Sequence, residues 1–295
     1  MKENIGLIGI GLVGTAISEN LLRAGYLVVG CDIDDGKCRH LEKMGGRAVS
    51  APREVAADVG RVFLSLMTTN IVREVLMGPD GLLQARKPPG YIIDTTTGDP
   101  EETVKIARQL EKQGIRFLDS PISGSSQQIR NRKGVVMVGG RQEAYRKCTD
   151  LFGAIARDFA YIGPSGSGCS AKLVSNVILG LNRLVLAEGL VFAERFGFEL
   201  GAFLALLKKT PAYSCAMDVK GKKMIAGDFT PQSRVSQHLK DLELTLRYAD
   251  KLAQPLPLTV LHRKILQDAI AAGDGELDNA AVVKQIRRLA NRSEE

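Results

Sequence analysis

Residues 5–32 constrain this chain more than any other stretch. An apolar run, Ile5-Gly6-Leu7-Ile8, leads into Gly9-Ile10-Gly11-Leu12-Val13-Gly14. A helical pattern (Val13, Ala16, Ile17, Leu21) then stops at Gly25, and a second apolar run, Leu27-Val28-Val29, ends at Asp32. Strand, Gly-x-Gly-x-x-Gly turn, helix, strand and acid in that order predict a βαβ unit built around a dinucleotide. Gly9 permits the tight turn, Gly11 leaves backbone clear for the pyrophosphate, and Gly14 lets the helix pack close to the strand. Ile10, Leu12 and Val13 complete the loop at a helix N-terminus, which offers free N–H groups and a partial positive charge. Glycines alone would signify only a turn; their register with strand, helix and acid points to a nucleotide. Asp32 is placed to accept hydrogen bonds from the adenine ribose. It is followed by Ile33-Asp34-Asp35, with no cation before Lys37. A 2′-phosphate would meet acids there, so NAD is expected rather than NADP, with Lys37 and Arg39 the nearest residues that could change this.

A chain of 295 residues is long enough for two domains, and 44% hydrophobic with 25% charged residues describes a globular protein. The net charge of +7 is scattered over clusters such as Arg130-Asn-Arg132-Lys133, Lys220-Gly-Lys222-Lys223 and Arg287-Arg288. These read as solvated surface, or as a mild attraction for anionic ligands. Nucleic acid is not an expected partner, because no binding motif accompanies the charge and aromatics are only 5%. Five cysteines without a C-x-x-C pair suit reduced thiols, and three dispersed histidines suggest no metal site. Residues 5–17 imitate a signal core but are broken by glycines and lack a clear cleavage site. No stretch reads as both long and apolar enough to span a bilayer. A soluble, cytoplasmic protein is expected.

Strand signals at Ile5–Ile8, Leu27–Cys31, Arg61–Leu66, Tyr91–Asp94, Phe117–Asp119 and Val135–Val138 alternate with helical patterns, notably Pro100–Lys112. Such alternation predicts a mostly parallel sheet with helices on both faces. Past Gly163-Pro164-Ser165-Gly166 every strong pattern is helical. The expected architecture is α/β: an N-terminal, doubly wound Rossmann sheet (1–163) and an all-α C-terminal domain (164–295), joined by a long interdomain helix. That helix, from about Ser167 to about Arg195, is apolar around most of its circumference, as buried helices are. Lys172 and Asn176 share one of its faces, and Gly180 continues that face and leaves room for a small ligand. Taken alone, Lys172 reads first as a lysine snorkelling to solvent from an interdomain helix.

Four motifs in order make the chain resemble the β-hydroxyacid dehydrogenases over essentially its whole length. They are Gly9-x-Gly11-x-x-Gly14; Asp119-Ser120-Pro121-Ile122-Ser123-Gly124; Gly166-x-Gly168-x-x-x-Lys172-x-x-x-Asn176; and His238-Leu239-Lys240-Asp241-Leu242. The resemblance implies that Lys172 is the general acid/base and that Asn176 orients the substrate. It further implies that Ser123 and Gly124 bind a substrate carboxylate, and that Lys240 sits near nicotinamide and substrate. Leu66, Met67 and Thr97 match positions that contact the cofactor. The implied reaction moves hydride between NAD and a small β-hydroxy acid or its semialdehyde. The all-helical half suggests association, so a homo-oligomer (dimer or tetramer) is expected, and no metal. An ordinary lysine, with a pKa near ~10.4, is a poor base at neutral pH. Burial beside a second cation lowers it towards ~7–8, where proton transfer is efficient. The chain departs from the family's pattern at Met67, at Thr95-Thr96-Thr97-Gly98-Asp99-Pro100, at Ser125 and through Gln127–Val136, all around the expected substrate pocket or cofactor rim. A non-catalytic scaffold of the same fold and an imine reductase are the competing readings; both typically lack the lysine.

Overall fold

The computed structural model describes residues 2–292. Nine strands form one sheet: β1 (Asn4–Ile8), β2 (Leu27–Cys31), β3 (Arg47–Ala48), β4 (Arg61–Leu64), β5 (Tyr91–Asp94), β6 (Arg116–Asp119), β7 (Ile122–Ser123), β8 (Val135–Gly140) and β9 (Asp158–Gly163). Their order is β3-β2-β1-β4-β5-β6-β8-β7, with β9 also on β8. The first six run parallel, and the antiparallel pairs are β6·β8 and β7·β8. This is the doubly wound order, and its direction reverses between β1 and β4.

The sheet is buried on both faces, which is why its strands read as continuous apolar runs rather than alternating ones. Ile5, Leu7, Val28, Phe63, Ile93 and Leu118 point into one core. Their neighbours Ile8, Val29, Val62, Leu64, Ile92 and Phe117 point into the other. The three strands with no sequence signal lie toward the edges. β3 and β7 have two residues each, and β9 alternates exposed and half-buried positions.

Contacts divide the chain into two compact units, residues 1–172 and 173–295. The second is helical around its own core, which includes Leu184, Ala187, Leu190, Leu242, Leu266 and Val283. The helix Ser167–Arg195 belongs to both units, and its 29 residues match the predicted span. Contrary to the sequence expectation, this helix is long and apolar enough to cross a membrane by length and composition; half of its most apolar stretch is buried in the fold. The cluster at Lys220 also departs from a simple solvated surface. Lys220 is buried and holds the fully buried Asp278 at 2.7 Å.

Candidate active site

In the first unit the predicted cofactor residues gather at the C-terminal ends of β1, β2, β4 and β5, where the strand order reverses. Gly9 has φ +90°, and a Cβ there would meet the Ser65 carbonyl oxygen at 2.3 Å. A Cβ on Gly14 would meet the Gly9 carbonyl oxygen at 2.0 Å, so the helix Leu12–Arg23 can sit this close only without a side chain. Gly11 is the reverse case: nothing lies within 4 Å of its Cβ position. That helix has no side-chain cap and no acid in its first turn. No side chain caps its first N–H groups, and a helix start of this kind suits a pyrophosphate. Asp32 accepts the Ile10 N–H at 2.5 Å and the Asp34 N–H at 2.9 Å, which ties the end of β2 to the loop. Beyond β4, Leu66 donates its N–H to Thr96 Oγ1 at 3.1 Å, while Met67 is exposed and Thr97 half-buried.

Ser123 ends β7, and Gly124 follows at φ +151°. Asp119, at the end of β6, is fully buried and accepts N–H groups from Gly166 (2.9 Å) and Cys169 (3.0 Å). Burial pushes its carboxyl above the usual range, against the lowering effect of these bonds. The acid of the second motif thus anchors the start of the helix carrying the third. A Cβ on Gly168 would meet the Asp119 and Met137 carbonyl oxygens at 2.4 and 2.5 Å, which explains the small residues there. Lys172, on this helix, is buried at 7% exposure.

In the second unit Asn176, at 3% exposure, donates Nδ2–H to Asp241 Oδ2 at 3.0 Å. Lys240 Nζ stands 2.9 Å from the other oxygen, Asp241 Oδ1. One carboxylate therefore joins two predicted site residues far apart in sequence. Asp241 was named only as part of a motif; its place next to Lys240 was the available signal. One turn further along the helix the sequence reading fails. The space beside Gly180 is filled: a Cβ there would meet His238 Nε2 at 2.5 Å and His262 Cε1 at 2.8 Å. These histidines, dispersed in sequence, pack with ring centroids 5.2 Å apart. Behind them lies buried Arg183, drawn down to about 10 by burial against the opposing charges of Asp278 and Asp241. Burial, and then Arg183, lower His262 to about 4. Among the described residues no group of three His, Cys, Asp or Glu side chains could hold a metal.

Comparison with known proteins accounts for this arrangement. Residues 4–163 match the NAD binding domain of 6-phosphogluconate dehydrogenase. Residues 166–286 match the NAD-binding family of NADP-dependent 3-hydroxyisobutyrate dehydrogenase. The chain is 32% identical to 2-(hydroxymethyl)glutarate dehydrogenase of Eubacterium barkeri, covering 95% of this chain and 93% of that protein. It is 31% identical to 2-hydroxy-3-oxopropionate reductase of Escherichia coli K12, covering 97% and 98%. A crystal structure of 3-hydroxyisobutyrate dehydrogenase from Salmonella typhimurium superposes with a TM-score of 0.88 at 27% identity, over 96% of this chain and 99% of that one. With both halves matched in order and relatives aligned end to end, the chain belongs to the β-hydroxyacid dehydrogenase family.

Proposed function

We propose that the protein is an NAD-dependent dehydrogenase or reductase acting on a small β-hydroxy acid or its semialdehyde, with Lys172 as general acid/base. The observation that carries this reading is a buried Lys172 one helical turn before Asn176, whose amide is held by Asp241. A bound nicotinamide would supply the hydride acceptor. In oxidation, the neutral Lys172 amine takes the hydroxyl proton as the C–H hydride leaves; in reduction, the ammonium returns it. Asn176 aligns the hydroxyl, Ser123 and Gly124 hold the carboxylate, and Lys240 supplies a second positive charge.

NAD is proposed over NADP because Asp32, Asp34 and Asp35 surround the end of β2. A scaffold role gives no reason to bury a lysine next to an ordered asparagine, and an imine reductase needs a different proton donor. Self-association is proposed through an exposed apolar stripe on the helix Ser167–Arg195: Val174, Ile178, Val185 and Phe192. A cytoplasmic location is proposed on the five free thiols.

The test is a screen of 3-hydroxy and 2,3-dihydroxy carboxylates and matching semialdehydes with NAD and with NADP. NAD-dependent turnover of at least one is expected. Lys172→Ala should then lower kcat by roughly 10²–10⁴ with NAD affinity retained, and should abolish the rise of oxidation rate with pH. Lys172→Arg should not restore it, since a guanidinium stays protonated. Near-native kcat in Lys172→Ala would return the residue to a structural role.

A further inference from the structure

The loop after Ser123-Gly124 forms a closed hydrogen-bond circuit. Ser125 caps the short helix Ser126–Arg130, its hydroxyl accepting the Gln128 N–H at 3.3 Å. In return Gln128 Oε1 accepts the Ser125 N–H at 2.9 Å. This reciprocal pair has two consequences. The backbone N–H next to Gly124 is consumed inside the loop. The Gln128 amide is also oriented, because its oxygen must face Ser125 and its NH2 must therefore turn away from it. The side chain lies against Gly124, since a Cβ on Gly124 would stand 3.5 Å from Gln128 Cβ and 3.8 Å from Oε1. Gln128 is half-buried, and the neighbouring cation Arg130 is already paired with Glu19 at 2.9 Å. The small helix is pinned to the fold by Asn20, whose amide donates to the Ile129 carbonyl at 2.7 Å. The circuit thus takes one backbone donor out of the loop and holds the Gln128 side chain against Gly124, with its two neutral N–H donors turned away from Ser125.

We propose that Gln128 is a specificity-determining residue, donating its side-chain N–H groups to a carboxylate oxygen of the substrate held at Ser123 and Gly124. The inference rests on the reading of that loop as the carboxylate site. It assigns recognition there to neutral donors, two of which come from a side chain.

Gln128→Glu separates this role from capping, because a glutamate serves the same capping box with its carboxylate oxygen but carries no N–H. Gln128→Met keeps the length and removes both functions. With a carboxylate substrate turned over by the wild type, both variants should raise KM about tenfold or more, the worth of a lost recognition hydrogen bond to a charged group. The KM for NAD and kcat should stay within a few-fold. Gln128→Glu should keep the wild-type melting temperature, whereas Gln128→Met should lower it. An unchanged substrate KM in Gln128→Glu would make Gln128 a capping residue only and overturn the proposal. Absence of any turnover by the wild type would instead remove the functional reading on which it rests.

Discussion

Asp241 shows how much one side chain can organise. Its two oxygens hold Asn176 and Lys240, so removing its charge frees both at once. Asp241→Asn leaves one carbonyl to serve two donors and no charge for the ammonium. Hydrogen bonds to charged groups are worth about 1.5–3 kcal/mol. Asp241→Asn should therefore lower kcat/KM by roughly tenfold to a hundredfold while NAD binding is unchanged; steady-state kinetics with an NAD titration check this. His262 makes a separate prediction about stability. Buried against His238 and facing Arg183, it titrates at about 4 in the folded chain against an ordinary 6.5. The unfolded chain therefore binds this proton first on acidification. The native state is favoured in full above pH 6.5, and stability falls as pH drops from there towards 4. The contribution of this one imidazole is on the order of 3 kcal/mol. Urea unfolding at pH 7 and pH 4.5 should show the loss, and His262→Leu should flatten it; identical slopes in the two proteins would assign the pH dependence elsewhere.

The start of the long helix depends on a residue from the sheet. Asp119 at the end of β6 takes N–H groups from Gly166 and Cys169, one on each oxygen. Asp119→Asn must turn its NH2 against one of these donors, leaving a buried N–H unsatisfied at a cost of about 1–3 kcal/mol. Chemical denaturation should show a loss of that size, together with lower kcat, because the helix carries Lys172. Wild-type stability in this variant would mean that the helix start is held by packing alone. Elements of this kind differ in how visible they are in sequence. β2 and β5 match their predicted bounds because both are mostly buried apolar runs, β5 closing on the buried Asp94. The helix Pro100–Glu111 is announced by Asp99, which caps it by accepting from Glu101 and Glu102 N–H groups, and by Pro100 at its first position. β9 went unread because its exposure alternates and Ile162 faces solvent, at 46%. Its aromatic residues Phe159 and Tyr161 pack on Tyr145 and Phe152, a grouping that sequence order does not announce.

Across the whole molecule, the most exposed apolar surface on a regular element is the stripe on the helix Ser167–Arg195. From Val174 to Phe192 it extends about 27 Å at 1.5 Å per residue. Val174, Ile178, Val185 and Phe192 are each 59–65% exposed. A second copy of the chain can cover this stripe with its own. The double substitution Ile178→Glu and Phe192→Glu should shift the protein to a monomer by analytical ultracentrifugation. Each side chain is already exposed, so the change should leave the fold intact by circular dichroism. A variant that sediments like the wild type would show that the stripe is not the contact.

The sequence by itself determined the βαβ start, the nucleotide loop, the strand–helix alternation and the four motifs. Each of these is written locally: continuous apolar runs for strands buried on both faces, repeats of three or four residues for helices, and glycines where backbone must approach backbone. Tertiary structure decided the rest. Asn176 reaches the carboxylate of Asp241, 65 residues on, and shares it with Lys240. His238 and His262 occupy the space that Gly180 was expected to leave open, and Gln128 locks the loop beside Gly124. These placements arise from long-range packing and from the need to satisfy buried polar groups. Spacing along the chain records which side chains share a face; it does not record what the folded chain brings against that face.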